Sequence, residues 1–190
     1  GGRFMLNNKG TIILETERLI LRRFREDDAR DMYENWASDG EVTKYLTWQT
    51  HRNIEDSQEI VNLWIEDYHN KEVYQWAIQL KDSNKIIGSI SLLNVDDHNE
   101  NCELGYCIGR LFWNKGLVTE AALAVIEFAF KDVAFKRIAA RHDIDNPASG
   151  RVMEKCGLKY EGTLRKILKN NKGQLVDCKY YSIIMEDYFG

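Results

Sequence analysis

The sequence predicts a single mixed α/β domain (α+β in its arrangement), with a largely antiparallel central sheet flanked by helices. Three observations predict it. The apolar pattern switches between a period of about 2 and one of about 3.6, in the order strand, two helices, three strands, helix, strand, helix, two strands. Two pairs of successive strands are joined by short polar turns, Lys81-Asp82-Ser83-Asn84 and Asn170-Asn171-Lys172-Gly173, whose chemistry suits hairpins. One helix is apolar almost all the way round and must be covered by sheet.

Thr16–Phe24 reads as the first strand, with Leu19 and Leu21 on one face. A helix starting at Asp27 or Asp28 carries Ala29, Met32, Tyr33, Trp36 and Ala37 as a core-facing stripe, and Ser38-Asp39-Gly40 ends it. Glu41–Thr50 reads as a short helix and a loop. Asn53–His69 is the second long helix, with Val61, Trp64, Ile65 and Tyr68 as its apolar stripe and Glu55 and Asp56 complementing its N-terminus. Strands follow at 74–80, 85–94 and 101–108, with a polar loop over 96–101. The apolar helix opens at about Thr119 and runs to Asp132, and Arg137–Asp143 is the next strand. Asn146 is the N-cap of a short helix with Pro147 at its first position, and Gly157 stops it. Leu158–Leu168 and Asp177–Met185 form the closing hairpin.

A chain of 190 residues suits one domain. Gly1-Gly2-Arg3-Phe4, ahead of Met5, reads as a tag remnant, leaving residues 5–190 as that domain. The net charge of −4 argues against a nucleic-acid surface, which is usually basic. No run of eighteen apolar residues and no signal-peptide pattern is present, so neither a membrane span nor export is expected. Cys102, Cys107, Cys156 and Cys178 form no C-x-x-C pair and have no ligand-like histidine spacing. Reduced thiols, a cytoplasmic location and no metal are the expectation.

The stretch Glu103–Asp132, ELGYCIGRLFWNKGLVTEAALAVIEFAFKD, is a strand handed to a buried helix through a loop with one glycine next to the helix. The free N–H groups and dipole of such a helix favour an anion. Gly116 lets the backbone approach a ligand, Lys115 adds positive charge, and Thr119 adds a hydroxyl. The loop is neither a P-loop nor a dinucleotide fingerprint, since G-x-x-x-x-G-K-[ST] and G-x-G-x-x-G are both absent.

The string ELGYCIGRLFWNKGLVTEA resembles the acetyl-CoA-binding core of the GCN5-related N-acetyltransferases (GNAT), and looks closest to the ribosomal-protein-alanine N-acetyltransferase branch. RIAARHDIDNPASGRVMEKCGLKYEGTLR resembles the family's segment after the fifth strand. In that family a Q/R-x-x-G-x-G/A loop cradles the CoA pyrophosphate with backbone N–H groups. The register here is Trp113-Asn114-Lys115-Gly116-Leu117-Val118, so Trp113 and Val118 depart from the pattern while the backbone donors survive. The resemblance covers Thr16 to Tyr188 and implies acetyl-CoA as co-substrate.

The implied reaction moves acetyl from a thioester to an amine. It needs a base, an oxyanion donor and stabilisation of the leaving thiolate. The resemblance implies a backbone donor near Cys107 or Ile108, where the family's strand bulges and where Gly105 marks such a bulge. It places the base at Glu103. The family's tyrosine acid falls at Met153 and is missing, whereas Asn146-Pro147-Ala148-Ser149 fits the N-x-x-S pattern that brings a serine near the CoA sulfur. Ser149 is therefore the second catalytic candidate. Lys115, Gly116, Leu117, Val118, Thr119 and Asn146 complete the cofactor site, and Trp48, His51 and Tyr106 are expected to line the substrate cleft. The expected acceptor is a protein N-terminus, with a small amine (polyamine, amino sugar, amino acid or drug) as the alternative and an acyl-CoA-binding module as a further one. The protein is expected to be a monomer or homodimer and to bind neither nucleic acid nor membrane.

Overall fold

The computed structural model describes residues 6–190, so the tag-like residues 1–4 and the expected start at Met5 lie outside the described residues. The elements are β1 (Leu14–Glu15), β2 (Leu19–Arg22), α1 (Ala29–Met32, continued by a π-turn over Tyr33–Ala37), α2 (Gly40–Thr43), α3 (Ile54–Asp67), β3 (Tyr74–Leu80), β4 (Ile86–Asp96) and β5 (Asn101–Ile108). Then come α4 (Leu117–Phe128, continued by a π-turn over Ala129–Val133), β6 (Arg137–Asp143), α5 (Pro147–Lys155), β7 (Lys159–Lys169), β8 (Leu175–Ile184) and α6 (Met185–Phe189).

Among the described residues eight strands form one sheet in the order β1-β2-β3-β4-β5-β6-β8-β7. Every adjacent pair is antiparallel except β5 and β6, whose link runs through α4 and crosses over the sheet. That crossover puts α4 on one face, where Ala121, Ala122, Val125, Ile126, Ala129 and Phe130 are buried against β3–β6. Tyr74, Trp76, Phe128 and Phe135 meet there at centroid distances of 5.7 to 6.4 Å, within the range of favourable ring contacts. On the opposite face α1 and α3 cover the β2–β5 side through Met32, Trp36, Val61 and Tyr68, which pack with Ala77 and Ile86. The expected stripe of α1 is thus the core stripe.

Four local expectations are corrected. The first strand is two short strands, because Thr16 forms a local turn: its amide donates to the Leu19 carbonyl and its hydroxyl accepts from the Leu19 amide. α4 begins at Leu117 rather than Thr119, since Gly116 already adopts the left-handed conformation and occupies the N-cap position. The expected strand to Met185 ends at Ile184 and turns into α6, whose first turn is closed by the Asp187 carboxylate accepting from the Ile184 amide. The fourth, a bulge in β5, bears on the site. Among the described residues no helix is long and apolar enough to cross a membrane.

Candidate active site

The sheet parts in its middle. β5 and β6 pair only through Asn101↔Arg137, Cys102↔Ile138 and Glu103↔Ala139. Beyond Glu103, β5 keeps β4 alone, and its register runs unbroken from Leu93↔Glu103 to Gly88↔Ile108. No bulge lies at Gly105. The parting of β6 already frees the amides that a bulge would free. Their direction follows from their neighbours: Gly109 N–H donates to the Ile87 carbonyl at 2.8 Å, and the Cys107 carbonyl crowds Gly88 so closely that a Cβ there would overlap it. Odd positions therefore bond β4, and by alternation the amides of Leu104, Tyr106 and Ile108 point into the gap.

After β5 the chain must turn sharply. Gly109 approaches the Asn35 carbonyl where no side chain would fit. The indole N–H of Trp113 donates to the Ile108 carbonyl at 3.0 Å, pinning the loop to the strand end. The first intrahelical bond of α4 runs from the Glu120 amide to the Gly116 carbonyl at 3.0 Å. The amides of Leu117, Val118 and Thr119 precede it and have no partner within the helix. Lys115 is exposed, with its ammonium 5.9 Å from the centre of the Phe112 ring. A pyrophosphate fits this cradle: free amides, a positive-φ glycine and one cation.

Two residues missed by sequence reasoning brace that loop. The Glu120 carboxylate accepts from the Thr16 hydroxyl at 2.6 Å, the Arg18 amide at 2.9 Å and Arg18 Nε at 2.7 Å. Arg18 Nη1 then donates to the Lys115 carbonyl at 2.9 Å. An acid one turn into a helix that should meet an anion was the available signal, since it implies a nearby cation. The cation lies 102 positions away in sequence.

Across the gap stands α5. Asn146 occupies its N-cap position, but its side chain makes no capping bond, contrary to the expected role. Its ψ of 67° is not the extended conformation from which a capping side chain reaches the first turn. Asn146 is left half-exposed. Ser149 Oγ lies 2.9 Å from the Tyr106 hydroxyl, and that hydroxyl donates to the Ser149 carbonyl at 2.8 Å. Tyr106, expected in the substrate cleft, is thus on the α4/α5 face, and burial keeps its phenol protonated well above the usual range. Met153 is buried in the core and offers no acid. Next to Ser149, Gly150 packs on His142. The ring is buried, its Nδ1 lies 2.7 Å from the Asp143 carbonyl, and its Nε2 has no hydrogen-bond partner among the described residues.

Glu103 lies on the other face with Gly105 and Cys107. It is half-buried on a central strand, and no carboxylate–cation pair within 4.0 Å involves it among the described residues. Burial pushes the Cys107 thiol up to about 12. Trp48 packs against the α1/α3 cluster and stands 5.3 Å from the His51 ring, whose Nδ1 is 2.7 Å from the Ser57 hydroxyl. Desolvation lowers the His51 pKa. The β7–β8 turn reaches this loop: Asn171 Nδ2 donates to the Thr43 and Trp48 carbonyls, and its amide donates to the Leu46 carbonyl.

A family model described as an acetyltransferase (GNAT) domain matches residues 18–159. An uncharacterised N-acetyltransferase of Bacillus subtilis, YoaA, is 32% identical over 90% of this chain and 96% of its own length. A GNAT-family acetyltransferase from Bacillus anthracis superposes with a TM-score of 0.81 at 29% identity, covering 92% of this chain and 99% of that one. The microcin C7 self-immunity acetyltransferase MccE, in complex with acetyl-CoA and AMP, superposes with a TM-score of 0.80 at 27% identity over 89% and 93%.

Proposed function

This chain belongs to the GNAT acetyltransferase family and is an acetyl-CoA-dependent N-acetyltransferase; from that premise we propose that its acceptor is the N-terminal α-amine of a protein, attacking the thioester directly. The observation that carries the reading is Glu103, a half-buried carboxylate with no ion-pair partner among the described residues, on the face of β5 opposite α4 and just where β6 departs. The choice of an N-terminus rests on the resemblance of ELGYCIGRLFWNKGLVTEA to the ribosomal-protein-alanine branch. An α-amine has an ordinary pKa of about 8, against about 10.4 for lysine, and needs less help from a base.

When bound, acetyl-CoA supplies the activated acetyl group as a thioester. The Leu117, Val118 and Thr119 amides would hold its pyrophosphate, with Gly116 giving close approach and Lys115 adding charge. The Asn146 carboxamide would meet the pantetheine arm in the gap. The Ile108 amide, on the gap side, would donate to the thioester carbonyl oxygen. Glu103 takes the amine proton, directly or through water, as the N–C bond forms. The C–S bond breaks, and the Ser149 hydroxyl, whose hydrogen rests on the Tyr106 oxygen, would turn to donate a hydrogen bond to the departing thiolate. A Cys107 thiol held protonated is a poor acyl carrier, which favours direct attack.

Thiol release with peptides bearing free N-termini tests the acceptor. Turnover that vanishes on N-terminal blocking supports the reading, and turnover on polyamines or amino sugars alone overturns it. Glu103→Gln should lower kcat about a hundredfold and spare acetyl-CoA affinity. An unchanged pH–rate profile in that variant removes Glu103 as base. A small amine is the second reading, favoured by the likeness to the self-immunity acetyltransferase, whose structure holds AMP as well as acetyl-CoA.

A further inference from the structure

On the face that carries Glu103, β6 presents Arg141. The parallel register sets Glu103 beside Ala139, so Arg141, two residues further along β6, shares that face. Strand spacing and rise put the Glu103 and Arg141 α-carbons about 8 Å apart at the mouth of the gap. Tyr180 of β8 is the register partner of Arg141, and Arg141 Nη1 donates to its hydroxyl at 3.3 Å.

The charges around Arg141 leave it open. Arg137, on the same strand face, is bound bidentately by Glu161. Arg141 has no carboxylate within 4.0 Å among the described residues. Asp143, two residues on along the same face, is buried, and its Oδ1 is taken by the Asp145 amide. Glu103 is the acid whose field reaches it. The guanidinium thus keeps Nε–H and the Nη2 donors for a ligand. Because the Tyr180 oxygen accepts from Nη1, the phenol hydrogen is also free to donate. A planar fork with an adjacent hydroxyl suits the oxygens of a carboxylate or a phosphate.

We propose that Arg141 and Tyr180 form an anion subsite of the acceptor cleft, so that the preferred acceptor is a primary amine with a carboxylate or phosphate within a few bonds of it. The inference rests on the acetyl-transfer reading with Glu103 as base, and it specifies the substrate class for that site. The subsite selects against polyamines, whose second ammonium would lie against the guanidinium. It takes an acidic first or second residue of a peptide, the α-carboxylate of an amino acid, or an amino acid bearing a phosphate.

The test compares acceptors matched in the amine and differing in the anion: Asp-Ala-Ala-amide against Asn-Ala-Ala-amide, glutamate against glutamine amide, and O-phosphoserine against serine amide, with spermidine as the polycation. Thiol release is followed for the full chain and for Arg141→Gln and Arg141→Lys. The expected result is a kcat/KM ratio of anionic to neutral acceptor about tenfold or more above unity. That ratio collapses toward one in Arg141→Gln and is partly kept in Arg141→Lys, while the acetyl-CoA KM stays put. Which pair shows the larger ratio tells peptide, amino-acid and phosphate sources apart. Equal turnover of matched pairs, or a ratio that survives Arg141→Gln, overturns the subsite and leaves the acetyltransferase reading standing. Acetyl-CoA binding with no turnover on either class overturns both.

Discussion

Gly150→Ala sets two opposed effects against each other, and the structure decides between them. In an ordinary helix interior alanine is favoured over glycine by about 1 kcal/mol. Here the added Cβ would stand 2.6 Å from His142 Nε2, with the ring carbons at 3.2 and 3.3 Å. Ordinary contact begins at 3.4 Å, so about 0.8 Å must be found. The ring cannot yield it: Nδ1 is held by the Asp143 carbonyl, and Tyr181 lies 5.7 Å away on a tilted ring plane. α5 must lift instead. Overpacking of that kind costs about 1–3 kcal/mol. Lifting Ser149 also strains its two contacts with the Tyr106 hydroxyl, about 1 kcal/mol each. The cost exceeds the propensity gain, and we expect a net loss of about 1–4 kcal/mol. Because Ser149 moves with the helix, kcat should fall about tenfold or more, as small misplacements do. Urea unfolding and steady-state thiol release measure both. His142→Ala should restore most of the lost activity to Gly150→Ala by making room. A Gly150→Ala protein as stable and as active as the parent refutes the argument that His142 dictates glycine and positions Ser149.

Burial raises the pKa of all four thiols, Cys107 to about 12 and Cys156 to about 11, so none should react quickly with a disulfide reagent near neutral pH until the chain unfolds. Fast labelling of native Cys107, or an acetylated protein after incubation with acetyl-CoA alone, would reopen a covalent route. Desolvation depresses the His51 pKa from its ordinary 6.5. The unfolded chain therefore binds the proton first, so this group contributes no loss above pH 6.5 and lowers stability as pH falls below it. His51→Gln should flatten that stretch of the stability profile, and an unaltered slope would assign it elsewhere. Asp28 accepts two bonds from Arg22 in a buried pair. Asp28→Asn should cost about 3–5 kcal/mol by leaving the guanidinium uncompensated, and a loss under 1 kcal/mol in urea titration would contradict that.

The fold was legible because its signals are local. The 3.6 period of Met32, Trp36 and Ala37, the turn chemistry of Asn170–Gly173 and the glycine before α4 each act within a few residues. The same reading went astray where a distant partner decides the outcome. The bulge expected at Gly105 rests on a local glycine signal, but the amides there are freed by β6 leaving, which no residue of β5 encodes. The alternation of β5 already put Tyr106 opposite Glu103. Its place under Ser149 depends on α5, 43 positions later. Asn146 has an N-cap sequence signature, but its backbone takes a different conformation to follow the turn from Asp143. Glu103 and Arg141 each look like an ordinary strand charge, and only the parallel pairing makes them neighbours.

The bracing of the α4 loop by Arg18 and Glu120 carries a consequence for hydrogen exchange. One carboxylate joins the turn that starts β2, near the outer edge of the sheet, to the loop proposed to hold the pyrophosphate. Any ligand free energy that fixes the loop is therefore shared with that outer edge. Saturation with acetyl-CoA should slow exchange of the Leu19–Arg22 amides, although the cradle is built from α4 and not from that strand. The edge of the sheet becomes a reporter of occupancy, and in Glu120→Ala the two should uncouple.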